Sequence, residues 1–197
     1  MMEPSALVLI IALPFIAGVV TLVLRSDSRA LATAIAGLTP LVCLVLTALL
    51  YPSVSGGGAI RQEIEWIPSL GLDFALRMDG FAWFFASLVS GIGLLVVIYS
   101  RYYISPEDPV RRFYFLFLAF MGSMLGIVLS GNLILLVVFW EMTSIFSFLL
   151  VGYWHHNPAA RDGARMALTV TAVGGLALLA GILLIGHIVG SYDLDAV

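Results

Sequence analysis

NLILLVVFWEMTSIFSFLLVGYW, residues 132–154, is an unbroken apolar run that contains a single carboxylate, Glu141. At about 1.5 Å of rise per residue, a helix of this length spans roughly 30 Å, the thickness of a bilayer's hydrocarbon core. The run therefore reads as a transmembrane helix. Five more runs of the same kind lie at about 5–24, 30–51, 80–100, 113–130 and 166–190. Together they predict an all-α integral membrane protein: a single membrane domain over 1–197 with six transmembrane helices.

Composition supports that class. Hydrophobic residues make up 61% of the chain and charged residues 11%, with mean hydropathy +1.09, well above the roughly 45–50% apolar content of soluble domains. A formal net charge of -3 points to neither nucleic acid nor an acidic substrate as partner. The lone cysteine, Cys43, has no partner in the chain, so no disulfide and no cysteine-based metal site is expected. No cofactor or metal is expected from any other pattern. MMEPS at the start carries an acid and no basic residue, unlike the n-region of a signal peptide, so the first run is expected to be a retained helix. Pro14 and Pro40 fall inside the first two runs, where kinks rather than ends are expected.

All nine basic residues are arginines. Arg25, Arg29, Arg101, Arg111, Arg112, Arg161 and Arg165 fall in odd-numbered connections, while Arg61 and Arg77 fall on the opposite side. The positive-inside rule then places the first group in the cytoplasm and both termini of this segment outside. The one long connection, 52–79, contains Leu72, Phe74, Leu76 and Met78 alternating with Asp73, Ala75, Arg77 and Asp79. That period of two is the mark of a half-buried strand. With Glu63 to Ile67 as a second strand and PSLG between them as turn chemistry, a short external hairpin-like segment is expected between helices 2 and 3. Small residues at Gly122 and Gly126, at Ser87 and Gly91, and at Gly174, Gly175 and Gly181 mark places where helices can pack closely. Trp66, Trp83, Trp154, Tyr51, Tyr102, Tyr103 and Tyr153 lie near the ends of the runs, as interfacial aromatic belts do.

Glu141 lies near mid-span, where a charge costs roughly 2.5–3.5 kcal/mol to insert, so it must face protein or water and not lipid. Burial raises a carboxyl pKa and a nearby cation lowers it, which allows such a group to be tuned for proton exchange at cellular pH. Glu141 is thus the candidate proton-relay residue. The competing reading is a protonated acid that fastens two helices, with Thr143, Ser144 and Ser147 available on its own helix. His155 and His156, at the end of that helix, are candidate further relay members; solvated loop residues are the alternative for them. His187 reads as interfacial.

Three stretches carry a family resemblance: LRMDGFAWFFASLVSGIGLLVVIYSRYY (76–103), SGNLILLVVFWEMTSIFSFLLVGYW (130–154) and RDGARMALTVTAVGGLALLAG (161–181). They resemble the antiporter-like membrane subunits shared by Mrp-type multisubunit cation/proton antiporters and respiratory complex I. Within that family the chain most resembles the A subunit of the Mrp type. The resemblance implies that Glu141 corresponds to the family's proton-pathway glutamate. Where the complex I subunit typically places an arginine and an aspartate in its sixth helix, this chain has Ala172 and Gly175, a departure that favours the Mrp branch. Family members have around fourteen or more helices, with a lysine on the seventh as the glutamate's partner. This chain has no lysine and six runs, and is expected to be the N-terminal portion of a larger subunit.

The function implied is that of a segment of a monovalent cation (Na+)/H+ antiporter subunit, in the cell membrane of a prokaryote. It would be a transporter component rather than an enzyme. Its implied partners are the other subunits of a hetero-oligomeric complex, the remainder of its own subunit, protons, sodium or another monovalent cation, and the bilayer. A proton-translocating subunit of an NADH:quinone oxidoreductase and a structural membrane scaffold are the alternatives.

Overall fold

The computed structural model describes residues 3–23, 29–67 and 72–197. Six helices in it are long and apolar enough to cross a membrane. They are α1 (Glu3–Val23), α2 (Arg29–Leu49), α4 (Gly80–Tyr103), α5 (Val110–Leu129), α6 (Leu133–Val151) and α7 (Pro158–Val189), with a single-turn helix α3 (Tyr51–Val54) after α2. The chain is a multi-pass membrane protein. Arg25 and the PSLG turn lie outside the described residues, as does Leu24 at the end of the first predicted run.

Helix ends follow capping rather than hydropathy. α7 begins at Pro158, eight residues before the predicted 166, because Asn157 accepts a hydrogen bond from the Ala159 amide at 3.0 Å and a proline opens the first turn. The polar stretch AARDGAR is therefore helical although it is not apolar. α6 starts at Leu133 under an Asn132 cap and stops at Val151, not 154, with Gly152 as its C-cap. α4 runs on to Tyr103 past the predicted 100, α5 starts at 110 and not 113, and α2 ends at Leu49. Pro14 and Pro40 sit within continuous helices.

α5 is the centre of the bundle and packs on α1, α2, α4 and α6; α1 also packs on α2, α2 on α4, and α6 on α7. Over the apolar windows of these helices, 56% of α5 is buried against 11% of α7, so α7 touches little besides α6. Core side chains include Leu7, Ile10, Val97, Tyr114, Leu118, Leu125 and Leu129. Polar groups in this interior mostly bond to helix backbone: Thr47 Oγ1 donates to the Cys43 carbonyl at 2.8 Å, Ser123 Oγ to Ala119 at 2.8 Å, and Trp83 Nε1 crosses to the Thr47 carbonyl at 2.7 Å. The last of these ties α4 to α2, so Trp83 works as an interhelix link. Tyr153 is likewise buried, packed edge-on against Phe113, while Tyr102 and Tyr103 are exposed.

The predicted paired strands are present as β1 (Ile60–Ile67) and β2 (Leu72–Met78), antiparallel, with Ile60 opposite Met78 and Ile64 opposite Phe74. Leu76 and Met78 are buried, as the alternation requires; Ala75, on the opposite phase, is buried as well. The reason is that β2 is not an edge. The Gly131 amide donates to the Ala75 carbonyl at 2.8 Å, and on the far side of Gly131 the Leu133 amide reaches Tyr192 and the Leu194 amide reaches Gly131, each at 2.9 Å. Two connections and the C-terminal segment thus form a small cover over one end of the bundle. Arg61 and Arg77, the two arginines at this end, are held by acids: Arg61 pairs with Asp193 at 3.4 Å and with Asp195, and Arg77 with Asp79 at 2.5 Å and Asp195 at 2.9 Å.

Candidate functional site

Glu141 is the ninth of nineteen residues in α6, at mid-span. Its helix turns Phe139 inward, 6% exposed, and Trp140 outward, 40% exposed. Between these two faces the Glu141 side chain is half-buried and points at α7. Gly175 receives it: a methyl group added there would overlap Oε1 and lie 3.0 Å from the carboxyl carbon. The missing side chain at Gly175 is what gives the carboxylate room between the two helices.

Neither Thr143 nor Ser144 bonds to the acid. Both hydroxyls donate to the Trp140 carbonyl, at 2.7 and 3.2 Å, so two of the three hydroxyls that the helix-fastening alternative drew on are spent on their own backbone. Among the described residues, no arginine or histidine forms an ion pair with Glu141. The site is therefore a single carboxylate close to a glycine, with no ion-pair partner among the described residues. Among the described residues there is also no cluster of three or more histidines, cysteines or acids that could hold a metal ion.

The structure does not bring His155 and His156 to Glu141. Ten residues of helix, about 15 Å, separate the acid from the end of α6, and both histidines lie exposed beyond that end, their rings 6.0 Å apart. His155 lines a cleft with Arg112, Arg161 and Arg165 instead. His187 is exposed in the last turn of α7. What sequence reasoning missed is Gly175 as the seat of the carboxylate. The signal available was its depth: a glycine near the middle of α7, level with an acid near the middle of α6.

Other small residues serve rings more than backbones. Gly122 faces the Phe15 ring of α1, which an added methyl group would meet at 2.8 Å, and Gly126 faces Phe139 of α6. The GxxxG pair thus accepts one aromatic side chain from each of two helices. Gly91, Gly174 and Gly181 face nothing within 4 Å.

Comparison with known proteins bears on the fold and the family. A family model described as NADH:quinone oxidoreductase/Mrp antiporter, TM, matches residues 130–197, the stretch that holds Glu141 and Gly175. A second, described as the N-terminus of chain 5 of NADH-ubiquinone oxidoreductase (complex I), matches residues 66–115. The chain is 61% identical over 187 residues to the A/B subunit of a probable K(+)/H(+) antiporter of Rhizobium meliloti, covering 95% of this chain and 19% of that one. It is 41% identical over 159 residues to the A subunit of the Na(+)/H(+) antiporter of Alkalihalophilus pseudofirmus, covering 80% of this chain and 20% of that one. The chain spans about a fifth of the length of these relatives. Among solved structures, a chain of the Mrp complex from Dietzia sp. superposes with TM-score 0.83 at 28% identity, over 96% of this chain and 20% of that one. A chain of respiratory complex I from Thermus thermophilus superposes with TM-score 0.80 at 22% identity, over 96% and 38%, a likeness of fold. The chain therefore resembles, over about a fifth of its relatives' length, the A subunit of the Mrp-type multisubunit antiporters, and its residues 130–197 match the family model that spans those antiporters and NADH:quinone oxidoreductase.

Proposed function

We propose that this chain is part of a subunit of a monovalent cation/proton antiporter and that Glu141 carries protons within it. The observation that supports this most is the carboxylate itself: at mid-span, half-buried, seated on Gly175, with no cation paired to it among the described residues. A carboxylate used only to fasten helices would spend its oxygens on α7, and the side that α7 offers is a glycine with no donor side chain. A carboxylate that takes and gives up protons must instead meet its donor or acceptor within hydrogen-bond reach, directly or through one water. Its cationic partner is to be sought in the remainder of a longer subunit, since the relatives are about five times the length of this chain.

Orientation follows from charge. The excess of arginine at one end, with Arg29, Arg101, Arg111, Arg112, Arg161 and Arg165, supports that end as cytoplasmic and the end with the strand cover as outer, with both termini of this segment outside. The partners are then the other subunits of a multisubunit complex, with H+ and Na+ or K+ as the exchanged ions. His155 and His156, about 15 Å or more from Glu141, fit proton collection at the cytoplasmic face better than direct exchange with the acid.

The test is Glu141→Gln in the full-length subunit within its assembled complex, measured as cation-dependent proton movement in everted vesicles. Loss of at least about a hundredfold is expected, the low end of what positioned proton-transfer groups contribute. Unchanged transport would leave the chain a structural scaffold. The match of residues 66–115 to a complex I subunit favours one second reading, a proton-translocating subunit driven by electron transfer in partner subunits. Co-purification with flavin and iron–sulfur subunits, without cation-dependent proton movement, would select it.

A further inference from the structure

We propose that the cleft between the end of α6 and the start of α7 binds the phosphate of an anionic phospholipid. The cleft has a volume of about 240 Å³; Arg112 of α5, Arg161 and Arg165 of α7 and His155 of the connection form its polar wall, and Phe148 and Leu149 of α6 part of its apolar one. Among the described residues, no carboxylate lines it. The remaining arginines described at this end differ in use or place. Arg29 donates to the carbonyls of Ile104 and Ser105 at 2.7 and 2.9 Å, and Arg111 to that of Leu22 at 3.4 Å, while Arg101 stands at the end of α4, away from the cleft. Among the described residues, the side chains of Arg112 and Arg161 make neither an ion pair nor a hydrogen bond, and Arg165 meets only Asp162 at 3.8 Å, with both side chains about three-quarters exposed (74% and 76%). A pair so exposed is screened by solvent and holds neither partner firmly.

Depth selects the ligand. Phe148 and Leu149 belong to the last turns of the spanning helix α6, whereas Arg161 and Arg165 stand in the first turns of α7, which at 32 residues is longer than a bilayer requires. Exposed Tyr99, Tyr102, Tyr103 and Trp154 ring the same end, as aromatic residues do at the headgroup level. The guanidinium groups therefore sit at phosphate depth and the apolar wall at acyl-chain depth. Basic pockets of this kind between transmembrane helices recruit anionic headgroups, and planar guanidiniums match phosphate oxygens in pairs. A free phosphate ion would use the arginines and leave Phe148 and Leu149 without an occupant.

The test is native mass spectrometry of the full-length subunit released from nanodiscs that contain equal amounts of dioleoyl-phosphatidylglycerol and dioleoyl-phosphatidylcholine. Phosphatidylglycerol should be retained at least about tenfold over phosphatidylcholine, with each of Arg112→Gln, Arg161→Gln and Arg165→Gln lowering that preference about fivefold, and Arg101→Gln, off the cleft, leaving it intact. Equal retention of the two lipids would overturn the proposal, as would single variants that keep the wild-type preference. Loss of bound phosphatidylglycerol on adding inorganic phosphate would identify a soluble anion as the occupant, and loss on assembly with the partner subunits would identify an acidic protein segment; either result overturns the lipid assignment.

Discussion

Gly175→Ala tests the seat of Glu141 without touching the acid. The new methyl group would overlap Oε1 and stand 3.0 Å from the carboxyl carbon and 3.6 Å from Oε2, while ordinary contacts begin near 3.5 Å. The carboxylate must therefore retreat by more than about 1 Å, because helix backbone cannot yield as readily as the end of a three-torsion side chain. Moving it costs about 0.5–1.5 kcal/mol in rotamer strain, and replacing glycine by alanine inside a helix returns about 1 kcal/mol. Stability should hardly change, with the melting temperature of the purified chain staying within about 3 °C of wild type. Proton transfer is less forgiving, since a misplacement of about 1 Å at a reacting group can cost about a hundredfold. Cation-dependent proton movement in vesicles carrying the assembled complex should therefore fall at least about tenfold. Gly174→Ala is the control: a methyl group there meets nothing within 4 Å, and transport should persist. Wild-type transport by Gly175→Ala would refute the claim that the position of the carboxylate between α6 and α7 matters to its role.

Two further outcomes concern stability. Gly126→Ala places a methyl group against the buried ring of Phe139, which lies in the core and cannot swing away; a loss of about 1–3 kcal/mol is expected, read as a lower melting temperature, and an unchanged value would mean that α5 and α6 pack less tightly than described. Asp79 caps α4 by accepting from the Ala82 amide at 2.8 Å; that bond, with Arg77 assisting, holds its carboxyl below the ordinary range despite partial burial. Asp79→Ala should cost about 1 kcal/mol at neutral pH. Because the folded pKa is depressed, the charge-dependent part of the cap is present above the unfolded value of about 3.9 and is lost as pH falls through the folded one. The deficit of Asp79→Asn, which keeps an acceptor but no charge, should accordingly vanish in that acid range, as followed by thermal melts across pH.

The number and order of the spanning helices were readable because the bilayer imposes one rule on every segment: about twenty apolar residues with internal backbone hydrogen bonds. The strand pair was readable for a similar reason, since the alternation from Leu72 to Met78 is a local pattern. Helix ends were less so. Hydropathy stops at a charge, but a helix stops where its backbone is capped, and Asn157 starts α7 well before the apolar run begins.

What the sequence by itself determined about this protein is the acid at mid-span. A single glutamate in residues 132–154 identifies itself by cost, because the medium is known before the fold is. What only the tertiary structure decided is which surfaces meet. Gly122 and Gly126 share a spacing suited to a helix pair, yet they accept rings from α1 and α6; Gly174 and Gly175 are adjacent in sequence, yet one faces open space and the other the Glu141 carboxylate. Rotation of a helix by one residue, about 100°, turns a glycine from bystander into seat, and that rotation is set by packing between helices far apart in the chain.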